Sequence, residues 1–174
     1  MAEKIRSYQK HDTRGAQSTG NRAEKRFEKV CENCGLIAIK SHEAVDKYSH
    51  IDYLVYEKGT GVQYTVDVKA MPLKKSLQRY RTIEIKGVGE NGFDNPGWLN
   101  GKAKYIAFEF LDGFALVDRE QLKEYVMRNV NQNIQEDRIE NAWHRFYTRP
   151  GRNDLITLLN NEEVIALAVA HLYE

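Results

Sequence analysis

The sequence is poor in the residues that mark secreted, fibrous and membrane proteins. It contains 2 Cys among 174 residues, too few for a disulfide framework and typical of a reducing cytoplasm. Its 3 Pro and 12 Gly exclude a collagen-like chain. No apolar run approaches the roughly 18 residues of a membrane span, and the N-terminal MAEKIRSYQK lacks the apolar core of a secretory signal. We therefore expect a cytoplasmic globular protein with no membrane partner.

An excess of one charge is also lacking, because 26 Lys+Arg oppose 25 Asp+Glu. This balance excludes a uniformly basic nucleic-acid coat. The basic residues are nevertheless concentrated locally. Residues 1–30 contain eight Lys/Arg and four Asp/Glu, and residues 69–86 contain six Lys/Arg and one Glu. Such asymmetry is typical of a basic groove, although scattered solvated faces would give the same counts.

The chain is predicted to form one domain behind a short arm. Residues 1–20 are polar and aperiodic, which predicts a mobile basic N-terminal arm, and residues 21–174 read as a single domain. Asn21, followed three residues later by Glu24, predicts a capped helix that ends at Gly35. Its apolar stripe consists of Ala23, Phe27, Val30, Cys31 and Cys34. Both thiols lie on that stripe, so we expect them to be buried rather than to bind zinc.

Strand patterns dominate the middle of the chain. The segments with strand character are 35–41, 51–57, 62–71, 81–88, 102–110, 113–118 and 154–159. Two helices are predicted after capping residues, over 119–130 behind Asp118 and over 162–173 behind Asn160 or Asn161. The predicted fold class is therefore α/β, with a mixed central β-sheet flanked by helices.

Two aspartates and a lysine form the sharpest constellation. In a strand, Asp67 and Lys69 point to one face while Val66 and Val68 point to the other. A hairpin through Lys58–Gly61 would bring Asp52 beside them. Paired carboxylates are the hard oxygen ligands that Mg²⁺ accepts. The lysine can orient or deprotonate an attacking water and offset the charge that builds on phosphorus. A surface salt-bridge set is the alternative interpretation.

This pattern resembles the signature of the PD-(D/E)xK nuclease superfamily, which includes restriction endonucleases, Holliday-junction resolvases and many phage nucleases. The resemblance rests on Ile51-Asp52, with 14 residues before Asp67, and on Asp67-Val68-Lys69. It covers residues 21–69, and Ile51 stands where the signature has Pro. The resemblance implies a restriction endonuclease-like core, with Asp52 and Asp67 as Mg²⁺ ligands (Mn²⁺ substituting), the Val68 carbonyl as a further ligand, and Lys69 as the catalytic lysine.

The superfamily also has an acidic residue in its first helix. On a helical wheel Glu24 lies at the edge of the apolar stripe and Glu28 lies further toward solvent, so Glu24 is chosen as the helical catalytic and metal-binding acid. Its alternative role is the capping box. Glu84-Ile85-Lys86 repeats the acid-x-Lys pattern, but it does not follow an Ile-Asp strand. We interpret it as an outward-facing cross-strand pair.

Basic and aromatic residues downstream of the motif are the predicted nucleic-acid contacts. They combine phosphate contacts with base stacking. The set comprises Lys74, Lys75, Arg79, Arg81, Trp98, Lys102, Arg149 and Arg152.

These observations lead to a metal-dependent endonuclease that hydrolyses DNA, duplex or branched. The resemblance implies a tendency to form homodimers. The first alternative is a non-catalytic nucleic-acid-binding module on the same fold, and the second is a protein-protein adaptor. The sequence leaves single-stranded DNA and RNA open as substrates.

Overall fold

The computed structural model describes residues 11–42, 49–88 and 95–174. Three α-helices lie in these ranges, α1 (His11–Asn33), α2 (Arg119–Asn129) and α3 (Asn161–Leu167). The strands are β1 (Leu36–Lys40), β2 (Tyr53–Glu57), β3 (Gln63–Lys69), β4 (Tyr80–Lys86), β5 (Tyr105–Phe110), β6 (Gly113–Asp118), β7 (Asn131–Glu136), β8 (Arg145–Tyr147), β9 (Leu155–Asn160) and β10 (Ala168–Tyr173). The predicted mixed α/β class is confirmed.

Six of these strands form a mixed sheet in the order β1-β2-β3-β5-β6-β10. The first three are an antiparallel meander, and the β2–β3 hairpin that the sequence predicted is confirmed. Strands β3 and β5 are parallel, with Asp67 opposite Ile106 and Lys69 opposite Phe108. The predicted hairpin of β5 and β6 is also confirmed.

A second sheet, in the order β4-β9-β8-β7, was not predicted. The sequence predicted one central sheet, with β4 in it. Instead β4 pairs antiparallel with β9, with Tyr80 opposite Asn160 and Glu84 opposite Ile156. Strand β7 was missed because 131–136 is polar and shows no apolar alternation, and β8 was missed because its 3 residues are too few to show a period.

Helix α1 covers one face of the six-stranded sheet. Ala23, Phe27, Val30 and Cys31 are fully buried against Tyr53 and Val55 of β2 and Val66 and Val68 of β3. A second core on the opposite face joins α2, α3 and the inner side of the second sheet, and it includes Trp98, Phe108 and Leu159. Residues alternate between these two cores along β5, where Ala107 lies in the first core and Ile106 and Phe108 lie in the second, as the strand period requires.

A buried carboxylate fastens α1 to this sheet. Glu109 on β5 is inaccessible to solvent, and its oxygens lie 2.6 Å from Arg22 Nη2 and 3.1 Å from Arg26 Nη1. The Met71 backbone N–H also donates to Glu109 Oε2 at 2.9 Å. A buried charge with several donors is the arrangement in which burial is tolerated. The contact therefore links the helix, β5 and the chain just after β3.

The predicted start of α1 was wrong. The helix begins at His11 rather than after Asn21, so Asn21 lies within it and does not cap it, and Glu24 belongs to no capping box. The predicted arm of residues 1–20 thus contributes residues 11–20 to the helix, while residues 1–10 lie outside the described ranges. The predicted end is confirmed, since Gly35 follows the helix with φ of +76°. Cys34, predicted to be buried, is exposed.

The predicted helix over 162–173 was also wrong in its second half. The capping box of Asn160 and Glu163 is present, but α3 ends at Leu167. The chain continues as β10, paired antiparallel with β6. Because β6 is buried along its length, its otherwise unpaired edge needs a backbone partner, and that tertiary requirement outweighs helix propensity.

None of the helices in the described ranges is long and apolar enough to cross a membrane.

Candidate active site

The β2–β3 hairpin brings Asp52 beside the Asp67-Val68-Lys69 segment. The Asp52 backbone N–H donates to the Val66 carbonyl at 2.9 Å, which extends the hairpin by one residue. Its carboxylate Oδ2 in turn accepts the Val68 backbone N–H at 2.6 Å. The predicted juxtaposition of Asp52 with the second motif is therefore confirmed.

Asp67 and Lys69 project from the same face of β3, as predicted. Lys69 Nζ lies 2.6 Å from Asp67 Oδ1. Asp67 is 1% exposed, and Lys69 keeps 25% of its side chain exposed. Because Asp67 is buried, this pair is not the exposed salt bridge of the alternative interpretation. Desolvation makes both charges unfavourable unless each compensates the other.

Burial and mutual repulsion act on the two carboxylates. Desolvation, followed by the charge of Asp67, raises the pKa of Asp52 from 3.8 to about 7. For Lys69 the balance goes the other way. Burial favours a lower pKa, but the charges of Asp67 and Asp52 outweigh it and hold the pKa above its usual value. Lys69 is thus a stable ammonium at neutral pH, suited to orient a water or neutralise charge rather than to remove a proton.

Trp98 holds this ammonium from the other side. Lys69 Nζ lies 5.2 Å from the centre of the Trp98 ring, within cation–π range. Trp98 itself is 6% exposed and packs edge-on against Phe108. The prediction that Trp98 stacks on nucleic-acid bases is therefore wrong, because the core covers the ring. Its observed contact is with Lys69.

The choice of helical acid stays a prediction, although the geometry separates the two candidates. Glu24 is 17% exposed and its Oε2 lies 2.7 Å from Lys40 Nζ on β1. Its charge also raises the pKa of Asp52, after the larger effects of burial and Asp67. Glu28 instead accepts the Tyr53 hydroxyl proton at 2.7 Å. Glu24 is thus the helical acid whose charge acts on Asp52.

Glu84 was interpreted as part of an outward-facing pair, and this was wrong. It lines a cavity of about 190 Å³ between the two sheets, together with Lys69, Arg81, Trp98 and Arg149. Its charge helps to raise the pKa of Lys69. Alternation along β4 already placed Glu84 on one face with Tyr80 and Thr82, but the cavity depends on how β4 crosses the first sheet. The sequence did not indicate that crossing.

Arg81 was predicted to contact DNA, and its burial overturns this. It is 1% exposed. Its guanidinium donates to the Glu109 carbonyl at 2.8 Å and to Asn161 Oδ1 at 2.8 Å, and it lies 4.0 Å from the centre of the Phe110 ring. Desolvation lowers its pKa to about 10. Arg81 therefore joins the two sheets and is not accessible to a phosphate.

The other predicted nucleic-acid contacts are accessible to different degrees. Lys75, Arg79 and Lys102 are exposed. Lys74 is exposed but forms an ion pair with Glu140. Arg149, partly exposed, pairs with Asp154 and lies 3.8 Å from Glu84. Arg152 is also partly exposed.

The donor set suits a hard divalent cation with few protein ligands. In the described part of the chain, no group of three or more His, Cys, Asp or Glu side chains is placed to hold a metal ion. The paired carboxylates of Asp52 and Asp67 are the arrangement that Mg²⁺ accepts while keeping most of its waters. Burial, and after it the charge of Asp67, raises the pKa of Asp52, so a counter-charge would favour the ionised form of both carboxylates.

Comparison with known proteins adds no relative: no family model, curated protein or solved structure matches the chain.

Proposed function

We propose that this chain is a Mg²⁺-dependent endonuclease that hydrolyses DNA phosphodiester bonds, with a restriction endonuclease-like core and the PD-(D/E)xK site at Asp52, Asp67 and Lys69. The observation that carries the proposal is the convergence of two buried carboxylates and one ammonium at the β2–β3 hairpin. Duplex and branched DNA are the proposed substrates. A cytoplasmic location is part of the proposal, and the two free cysteines, Cys31 and Cys34, are consistent with it.

Asp52 and Asp67 would hold Mg²⁺, with the Val68 carbonyl as a further ligand. When bound, Mg²⁺ supplies Lewis-acid stabilisation of the phosphate and lowers the pKa of a coordinated water. The fit rests on charge. Asp52 has a pKa of about 7 because it is buried and because its neighbour Asp67 is negative, so a dication would offset the cost of ionising both carboxylates. Glu24 would join them by exchanging Lys40 for the cation.

Lys69 would act on the attacking water and on the phosphate. Its ammonium is fixed between Asp67 Oδ1 and the Trp98 ring, so its direction is set before a substrate arrives. A charged donor of this kind orients a water and stabilises the additional negative charge of a pentacovalent phosphorus. The opposite charges of Asp67 and Asp52 keep the ammonium protonated throughout.

Exposed basic residues on the same chain would hold the DNA backbone. Lys75, Arg79 and Lys102 are exposed, and Arg152 is partly exposed. Lys74 and Arg149 would contribute after rearranging their ion pairs with Glu140 and Asp154. The net charge of +1 implies a local rather than a global attraction. A homodimer is part of the proposal, since cutting two strands calls for two sites.

A cleavage panel tests the proposal. Plasmid, linear duplex, four-way junction, flap, single-stranded DNA and RNA are incubated with Mg²⁺ or Mn²⁺, with EDTA as a control. We expect cleavage that needs the metal and is lost in Lys69→Ala. Lys58→Ala is the matched control because Lys58 is exposed in the turn of the same hairpin, and it should cleave normally.

Calorimetry of Mn²⁺ binding provides the second measurement. Asp67→Ala should lose the binding heat, and unchanged binding would remove Asp67 from the site. If no nucleic acid is cut while DNA still shifts on a gel in EDTA, the chain is a binding module. In that case Asp52 and Asp67 are structural residues.

A further inference from the structure

A second recess lies at the end of the β4–β9 pair where β4 begins and β9 ends. Its volume is about 340 Å³, and its lining residues are Arg79, Tyr80, Trp143, Asn160, Asn161 and Glu162. Trp143 is 48% exposed, whereas the other tryptophan, Trp98, is buried. A large aromatic ring left half in water beside a recess is available to cover a flat ligand.

The Trp143 ring is held in place from behind. Its indole Nε1 donates to Glu163 Oε2 at 3.0 Å. Glu163 Oε1 lies 2.7 Å from the Tyr125 hydroxyl and 2.5 Å from His144 Nε2, and the Asn160 backbone N–H donates to Oε2 at 2.8 Å. A carboxylate with four partners cannot shift easily. Trp143 is therefore fixed before any ligand binds, which lowers the entropic cost of binding.

The backbone beside Trp143 is also constrained. His144 has φ of +55°, a conformation that non-glycine residues seldom adopt. Backbone hydrogen bonds on both sides hold it there: His144 donates to the Leu158 carbonyl at 3.2 Å and accepts from Asn131 N–H at 2.9 Å. The Trp143 ring lines the recess directly before this constrained residue.

Tyr80 and Arg79 form the opposite side of the recess. The Arg79 guanidinium lies 4.9 Å from the centre of the Tyr80 ring, and Arg79 is exposed. Flat rings flanked by an accessible cation match a nucleotide, whose base stacks and whose phosphate is anionic. The rings therefore favour a nucleotide over an aliphatic ligand, and Arg79, rather than the carboxylate of Glu162 that also lines the recess, would contact its phosphate.

The recess and the candidate active site are connected through β4. Tyr80, Thr82 and Glu84 share one face of this strand, and Glu84 borders the Lys69 cavity. Four strand steps separate Tyr80 from Glu84, or about 13 Å at roughly 3.3 Å per residue. This length equals about four nucleotides of a stacked strand at about 3.4 Å each.

We propose that Trp143 and Tyr80 form a base-stacking subsite for an unpaired nucleotide of a nucleic-acid strand, a few nucleotides from the phosphate at Lys69. The stacking itself requires only the recess, and its distance from the cleaved bond rests on the proposed nuclease function. The subsite gives the protein a reason to prefer branched, flapped or single-stranded substrates over fully paired duplex.

The test measures binding without cleavage, in EDTA. A fluorescently labelled single-stranded oligonucleotide is titrated against the full chain by anisotropy, and a matched oligonucleotide with abasic positions keeps the phosphates but lacks the bases. Trp143→Ala should weaken binding of the normal oligonucleotide by about 5- to 150-fold and leave binding of the abasic one unchanged. Trp143→Phe keeps an aromatic ring and should retain most of the affinity of the parent chain.

Tyr173→Ala is the matched control, because Tyr173 is 59% exposed on β10 and lines no part of the recess; it should bind as the parent chain does. Equal affinity of Trp143→Ala and the parent chain for the normal oligonucleotide would overturn the proposal. Free dAMP that competes as well as the oligonucleotide would overturn the assignment to a strand. Base-dependent binding without cleavage in the metal panel would refute the nuclease and leave the subsite standing.

Discussion

Replacing Asp52 with Asn should stabilise the metal-free protein at pH 8. Asn has nearly the same shape as Asp, and its side-chain oxygen can still accept the Val68 N–H, which Asp52 accepts at 2.6 Å. The substitution removes the negative charge and replaces one carboxylate oxygen with an NH2 group. Burial and the charge of Asp67 make that charge unfavourable in the folded state, whereas in the unfolded chain it is fully hydrated.

The size of the effect follows from the pKa of Asp52. Folding raises it from 3.8 to about 7, and each pKa unit is worth about 1.4 kcal/mol. The folded state therefore binds more protons than the unfolded state between about pH 4 and pH 7, and stability falls as pH rises through this window. Above pH 7 the whole cost, about 4 kcal/mol, is present. Below pH 4 it vanishes because both states are protonated.

Urea unfolding in EDTA, followed by tryptophan fluorescence, measures this difference. The free energy of unfolding of Asp52→Asn should exceed that of the parent chain by about 4 kcal/mol at pH 8 and by much less at pH 4.5. Asp112→Asn is the control, since Asp112 is an exposed carboxylate in the β5–β6 turn, and it should change little. An equal pH dependence in the parent chain and Asp52→Asn would refute the reasoning, because the carboxylate would then not be desolvated.

Two further predictions concern β10 and the thiols. Gly113→Ala should lower the free energy of unfolding by about 3 kcal/mol and speed hydrogen exchange in β10, because Gly113 has φ of +147° and a Cβ would lie 1.9 Å from the Leu172 carbonyl oxygen. Gly59→Ala is the control, at φ of +85° with open space around it, and should lower the free energy of unfolding by about 1 kcal/mol in the same urea assay. Equal losses in the two variants would contradict the steric argument. In the folded protein a thiol reagent should modify Cys34, which is exposed, and spare Cys31, whose pKa burial raises to about 12; rapid loss of both thiols before unfolding would contradict the burial of Cys31.

The part of the candidate site that the sequence predicted is local in the chain. Asp52, Asp67 and Lys69 lie within one hairpin, so strand alternation and a short turn are sufficient to bring them together. The same rules correctly placed Val66 and Val68 on the opposite face, against α1. Their predicted roles as ligands and catalyst stay predictions.

The part that the sequence did not predict depends on distant contacts. Arg81 and Trp98 look like exposed basic and aromatic residues in the sequence, but the second sheet packs over the first and buries them. The segment 168–173 has both helical and strand periodicity, and the edge of β6 decides between them. The role of Trp143 in the recess depends on its hydrogen bond to Glu163, which lies at the start of α3 and is distant in the sequence.

The parallel pairing of β3 with β5 has a consequence for the order of folding. Strands β1 to β3 are neighbours in the chain, so the meander that brings Asp52 to Val68 closes only short loops. The contact between Asp67 and Ile106 spans a long crossover, and such contacts form slowly. On a ribosome, the two aspartates can meet well before β5 has been synthesised. We therefore expect a newly made chain to pair these carboxylates early, and to bury Asp67 only after β5 docks.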